Sequence, residues 1–164
     1  MRSFEPTMMQ QVDIFIRELF WSAKEGSPIN MTDRCERLGM DIVCLLAFGY
    51  PLKMQTDSRY RFVIQGLHIG GYQNNAFMQV PLLKKLNMHH LLRLVGFQTR
   101  RKYLSMLQLI IKSRLAQDKD AQNDLYSFLA DHLSDPSASI TTSELWSEAL
   151  FFMPAGSCLA LYVL

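Results

Sequence analysis

From Thr7 to Lys24 apolar side chains recur every three or four residues, at Met8, Val12, Phe15, Leu19 and Ala23. That spacing gathers them into one stripe along a helix, because a helix turns once in 3.6 residues. The same period returns at Met31, Cys35, Leu38, Ile42 and Leu45. Gly26 and Pro28 stop the first segment, Asn30 is placed to cap the second with Asp33 in its first turn, and Gly49 and Pro51 stop that one. Ile42 to Phe48 is apolar all round, so this stretch belongs inside something larger than a two-helix surface. Its β-branched residues would also permit a strand, but the unbroken pattern from Met31 favours a helix. No hairpin signature occurs, and the expected fold is all-α.

A third helix is expected from Ser58 to about His68, fraying at Gly66, Gly70 and Gly71, with a non-periodic stretch from Tyr72 to Pro81. Asn87 to Val95 reads as a short helix. Thr99 to Leu115 reads as a longer one, with Tyr103, Leu104, Leu107, Ile110, Ile111 and Leu115 apolar and Arg100, Arg101, Lys102, Lys112 and Arg114 mostly on the other side. Asp124 to Leu133 suggests a short acidic helix. Thr141-Thr142-Ser143-Glu144 is a capping box, in which hydroxyl and carboxylate each take a free backbone N–H.

The 164 residues are 49% hydrophobic and 20% charged, and a chain of this length buries roughly 70% of its unfolded surface. Collagen-like, disordered and disulfide-framework classes are thereby excluded. Three widely spaced cysteines, Cys35, Cys44 and Cys158, suit a reducing compartment. The net charge of +2 conceals a division: residues 84 to 119 hold nine basic groups and one acid, and residues 120 to 164 hold six acids and no base. Met1 to Pro6 lacks the apolar core of a signal peptide. The longest uncharged run, Ala149 to Leu164, has 16 residues broken by Pro154 and Gly156, short of the ~20 a spanning helix needs. A chain without an anchor, cytoplasmic or peripheral, is the expectation.

Metal chemistry finds no foothold. Cys35 and Cys44 are nine residues apart, on opposite faces of one helix, and His89 and His90 are adjacent instead of four apart. No nucleophile elbow, Walker loop or dinucleotide fingerprint is present. Lys84-Lys85 and Arg100-Arg101-Lys102 flank an apolar stretch, which either makes shallow contact with an anionic membrane face through residues 77–102 or is a solvated helix face beside a core. Nucleic acid, which wants aromatic platforms among polar neighbours, is not expected as a partner.

In the final helix Pro154 and Gly156 lie two residues apart within apolar sequence. Pro154 removes the hydrogen bond to the Leu150 carbonyl and Gly156 admits a bulky neighbour to the backbone. Such an opening can seat a flat ligand. Equally, the helix can simply end near Met153.

Glu144-Leu-Trp-Ser-Glu-Ala-Leu-Phe-Phe-Met-Pro-Ala-Gly-Ser157 resembles the first half of the central I helix of the cytochrome P450 family, the haem-thiolate monooxygenases, in particular fungal members of secondary metabolism. Met31 to Gly49 is similar to the family's buried E helix, Arg2-Ser-Phe-Glu-Pro6 to the start of its D helix, and Tyr60 to Leu115 to its F and G helices. The resemblance implies an incomplete P450 helical fold over residues 1–157, with 158–164 a divergent tail. It implies haem as the parent cofactor, a small apolar substrate, a P450 reductase as electron donor and the endoplasmic reticulum membrane as the parent location. Ala155 and Gly156 would line the distal haem face, Phe151, Phe152 and Tyr72 would approach the substrate, and Tyr72 to Pro81 would form part of an access lid.

The chain departs from the pattern in the parts that do chemistry. The oxygen-activation motif ends at Ala155-Gly156-Ser157, followed by Cys158-Leu159-Ala160 where the family has an acid and threonines. No Gly-x-Arg occurs, so the thiolate loop is absent and Cys158 does not replace it; the Glu-x-x-Arg pair is missing too. The expectation is a truncated monooxygenase with no catalytic residue intact and no haem bound. The alternative is a haem-free helical binding protein that recruits a partner through the apolar surfaces of Ile42 to Phe48 and Ala149 to Leu164.

Overall fold

The computed structural model describes residues 4–80, 82 and 97–118, and among these are four long helices and no strand. Helix α1 spans Glu5–Glu25, α2 Met31–Phe48, α3 Phe62–Gln79 and α4 Phe97–Leu115. The expected helices at 87–95 and 124–133, and the one opening at Thr141, lie outside the described residues.

Local chemistry sets the ends of α1 and α2. Pro6 stands at the N-terminus of α1, where its missing N–H costs nothing, and Gly26 closes the helix at φ 65°. There the Gly26 and Ser27 amides donate to the Ala23 and Ser22 carbonyls. As expected, the Asn30 side chain accepts the Thr32 amide at 3.1 Å, and Gly49, at φ 61°, ends α2 by donating to Leu45.

The core lies where α2, α3 and α4 meet the segment between α2 and α3. Met40, Cys44, Ala47 and Phe48 of α2 pack with Leu52 and Met54, with Val63 and Ile64 of α3, and with Met106, Leu107, Ile110 and Ile111 of α4. Helix α1 packs on α2, and its most buried residues are Gln11 and Ser22, not the apolar stripe around Met8 and Ala23, both of which are exposed. Hydrogen bonding explains this displacement. The Gln55 amide nitrogen donates to the Gln11 carbonyl and side-chain oxygens, and Arg34 donates to the Ser22 hydroxyl at 3.1 Å.

Three sequence expectations need correction. Helix α3 neither begins at Ser58 nor frays near His68; it runs from Phe62 through Tyr72 to Gln79, so the expected non-periodic stretch is helical almost to its end. The glycines do not break it. A Cβ on Gly66 would stand 2.9 Å from the Thr99 methyl, so this glycine marks where α3 crosses α4. Second, the fully buried side of α2 holds Glu36, Met40, Asp41, Cys44, Ala47 and Phe48, nearly opposite the predicted stripe, of which Met31 is exposed. Third, Arg114 is not on a solvated face: it is 2% exposed, with its guanidinium donating to the Asp118 carbonyl.

Candidate functional site

Asp41 organises the segment that carries the core from α2 to α3. Its two carboxylate oxygens accept the backbone amides of Met54 at 2.8 Å and Gln55 at 3.1 Å. The carbonyls of those same residues accept from Arg61, Nε to Met54 at 2.9 Å and Nη2 to Gln55 at 3.2 Å. Two successive residues are thus held, by an anion on their N–H groups and a cation on their carbonyls, and the peptide group that joins Met54 to Gln55 is gripped from both sides. The grip sustains Lys53 at φ 55°, a left-handed conformation unusual for a residue with a side chain. Burial pushes the Asp41 carboxyl above its ordinary value, outweighing the amide hydrogen bonds, which pull it down.

One turn before Asp41 on the same helix, Glu36 is wholly buried and its Oε1 lies 2.8 Å from Nε2 of His68 on α3. Its second oxygen has no hydrogen-bond partner among the described residues. The carboxylate orients the imidazole, whose ring stays 40% exposed. His68 has no Ser, Thr or Cys hydrogen-bonded to it among the described residues, so the pair is an oriented base without a nucleophile. Tyr103 is half-buried, with no hydrogen-bond partner for its hydroxyl among the described residues and its phenol pushed up to about 12 by burial and the nearby Cys44.

Of the residues singled out in the sequence, Tyr72 lies one turn beyond His68 on α3, its side chain 75% exposed. Phe151, Phe152, Ala155, Gly156 and Cys158 lie outside the described residues. The described structure therefore brings none of the sequence-derived site residues together.

The cytochrome P450 family profile matches residues 1–157. The chain belongs to the cytochrome P450 family. Among its P450 relatives is cytochrome P450 monooxygenase lcsN of Purpureocillium lilacinum, 23% identical over 129 residues that make up 77% of this chain and 38% of the relative. Another is cytochrome P450 monooxygenase ataY of Aspergillus terreus, 28% identical over 159 residues, 94% of this chain and 69% of the relative. The chain thus spans well under half of one relative and about two thirds of the other. No solved structure matches it.

P450 membership gives the fold a monooxygenase-type parent with haem, a substrate and a reductase. Haem iron in these enzymes is held by a cysteine thiolate, and the described thiols do not fit that task. Cys44 is 0% exposed in the core, where burial and the neighbouring Asp41 charge drive its thiol far upward, toward the protonated form. Cys35 is half-buried on the opposite face of α2. Among the described residues no three His, Cys, Asp or Glu side chains converge as a metal site, and no helix is long and apolar enough to cross a membrane.

Sequence reasoning missed the buried charges Glu36, Asp41 and Arg114 and, half-buried beside the first two, His68 and Arg61. The available signal was Asp41, an acid set directly against the apolar run Ile42 to Phe48, where a charge needs a partner; Glu36, flanked by Arg34 and Arg37, carried no such signal.

Proposed function

We propose that this chain carries substrate-side helices of a haem monooxygenase that oxidises a small apolar secondary metabolite, and that on its own it oxidises nothing. The observation that carries this reading is the family match over residues 1–157 in a sequence without the thiolate loop. On this reading Ala155 and Gly156 line the distal haem face of the parent fold. Phe151, Phe152 and Tyr72 border the substrate. Residues 158–164 form a divergent tail, and electrons come from a P450 reductase at the endoplasmic reticulum membrane.

The test is spectroscopic. The full chain is expressed with haem supplied, reduced with dithionite and exposed to carbon monoxide, and the Soret region is recorded. No thiolate-type band is expected; such a band overturns the proposal, because thiolate ligation is what gives the reduced carbonyl complex its red-shifted absorption.

The exposure of Phe20 (72%), Trp21 (61%) and Met78 (79%) favours a second reading, a haem-free helical protein that binds a partner through apolar faces. A folded, monodisperse chain free of haem supports that reading, whereas aggregation through those faces counts against it.

A further inference from the structure

A groove of about 480 Å³ lies between the turn ahead of α3 and the N-terminal half of α4. Its floor is apolar, with Phe62 from α3 and Met106 and Leu109 from α4, and three cations border it, Arg59, Arg101 and Lys102. No acidic side chain lines it among the described residues, and none of the three cations forms an ion pair there. The cations and the apolar groups are separated along α4. From Arg101 to Leu109 the helix rises about 12 Å, so along the α4 wall the two cations and Leu109 stand at opposite ends.

The position of the charge is itself informative. Arg100, Arg101 and Lys102 follow one another in α4 with no acid among the described residues before them in that helix. Adjacent cations repel one another, and an anion seated against Arg101 and Lys102 relieves that repulsion. Arginine forks suit carboxylate and phosphate oxygens. The groove volume falls within the range of small-molecule sites. Met106 is 5% exposed and lies in the floor of this open groove, and Leu109, half-exposed, stands at its rim.

We propose that this groove binds an anionic amphiphile, a single carboxylate or phosphate head held by Arg59, Arg101 and Lys102 with an aliphatic body lying over Phe62, Met106 and Leu109. The proposal is independent of the haem reading, since it uses only described residues of α3, α4 and the turn between Asp57 and Arg61.

Isothermal titration of the full chain with decanoate and with decyl phosphate, below their micelle concentrations, tests it. Saturable one-to-one binding is expected for at least one of them, ten-fold or more tighter than for decanol or decyltrimethylammonium. The double variant R101Q/K102Q should lose that preference, and L109E, at a half-exposed position, should weaken binding ten-fold. R17Q/K24Q, which removes two cations from α1, should leave it unchanged. Circular dichroism identical to wild type establishes that each variant is folded.

Equal binding of all four amphiphiles overturns the proposal, as does equal loss in the α1 control. Binding to phosphatidylserine vesicles without binding to either monomeric anion also overturns it, in favour of a membrane-facing surface.

Discussion

Replacing Asp41 by alanine removes both acceptors from the Met54 and Gln55 amides while leaving those amides in the core. A buried donor stripped of its acceptor costs about 1–3 kcal/mol, so two cost about 2–6 kcal/mol. Relief of the desolvated carboxylate returns part of that, and a net loss of about 2–4 kcal/mol is expected. Against a typical domain stability of about 5–15 kcal/mol this is a large fraction. Urea unfolding of the full chain followed by far-ultraviolet circular dichroism measures it. With a slope of about 2 kcal/mol/M, the midpoint should fall by about 1–2 M.

Arg61→Ala should cost less, because the Arg61 side chain is half-exposed and its carbonyl acceptors can turn to water. Since both side chains hold the same two residues, Met54 and Gln55, the double variant should lose less than the sum of the single losses. A D41A midpoint within about 0.3 M of wild type would refute the reasoning, because the lost amide acceptors would then have been replaced by water or by a rearranged loop.

The raised carboxyl of Asp41 sets a sign for pH dependence. Its folded value lies above its unfolded one, so between the two the folded state binds more protons, and this group's contribution to stability falls as pH rises through that window. The stability of wild type relative to D41N should therefore shrink as pH rises above about 4, the ordinary carboxyl range, as read from urea midpoints; a constant difference rejects the shift. Gly66→Ala should destabilise by about 1–3 kcal/mol through the Thr99 methyl, and T99S, which removes that methyl, should restore much of the loss in the double variant. Gly71→Ala meets open space inside α3 and should stabilise the chain by about 0.5–1 kcal/mol, seen as a raised Tm.

The candidate site was legible in parts of the sequence other than those the described structure contains. Phe151, Phe152, Ala155 and Gly156 came from a resemblance in the final helix, outside the described residues, and only Tyr72 can be placed. The polar set that can be seen, Asp41 with Arg61 and Glu36 with His68, joins residues 20 and 32 positions apart. Neither pairing follows any local spacing. His68 was legible only as a helix-ending residue ahead of Gly70 and Gly71, whereas in the fold it is the partner of a buried acid.

The amino-acid sequence alone determined the all-α class, the start of α2 at its Asn30 cap, the stops at Gly26 and Gly49 and the family, because caps, left-handed glycines and 3.6-residue periodicity act within one or two turns. Only the tertiary structure decided which side of α2 is innermost, why α3 persists past Gly66, and where Arg114 goes. Those outcomes depend on what stands across the interface: an amide pair for Asp41, a crossing helix at Gly66, a carbonyl for Arg114. A polar side chain is stable inside when the fold brings it a partner, and hydrophobic patterning carries no record of that partner.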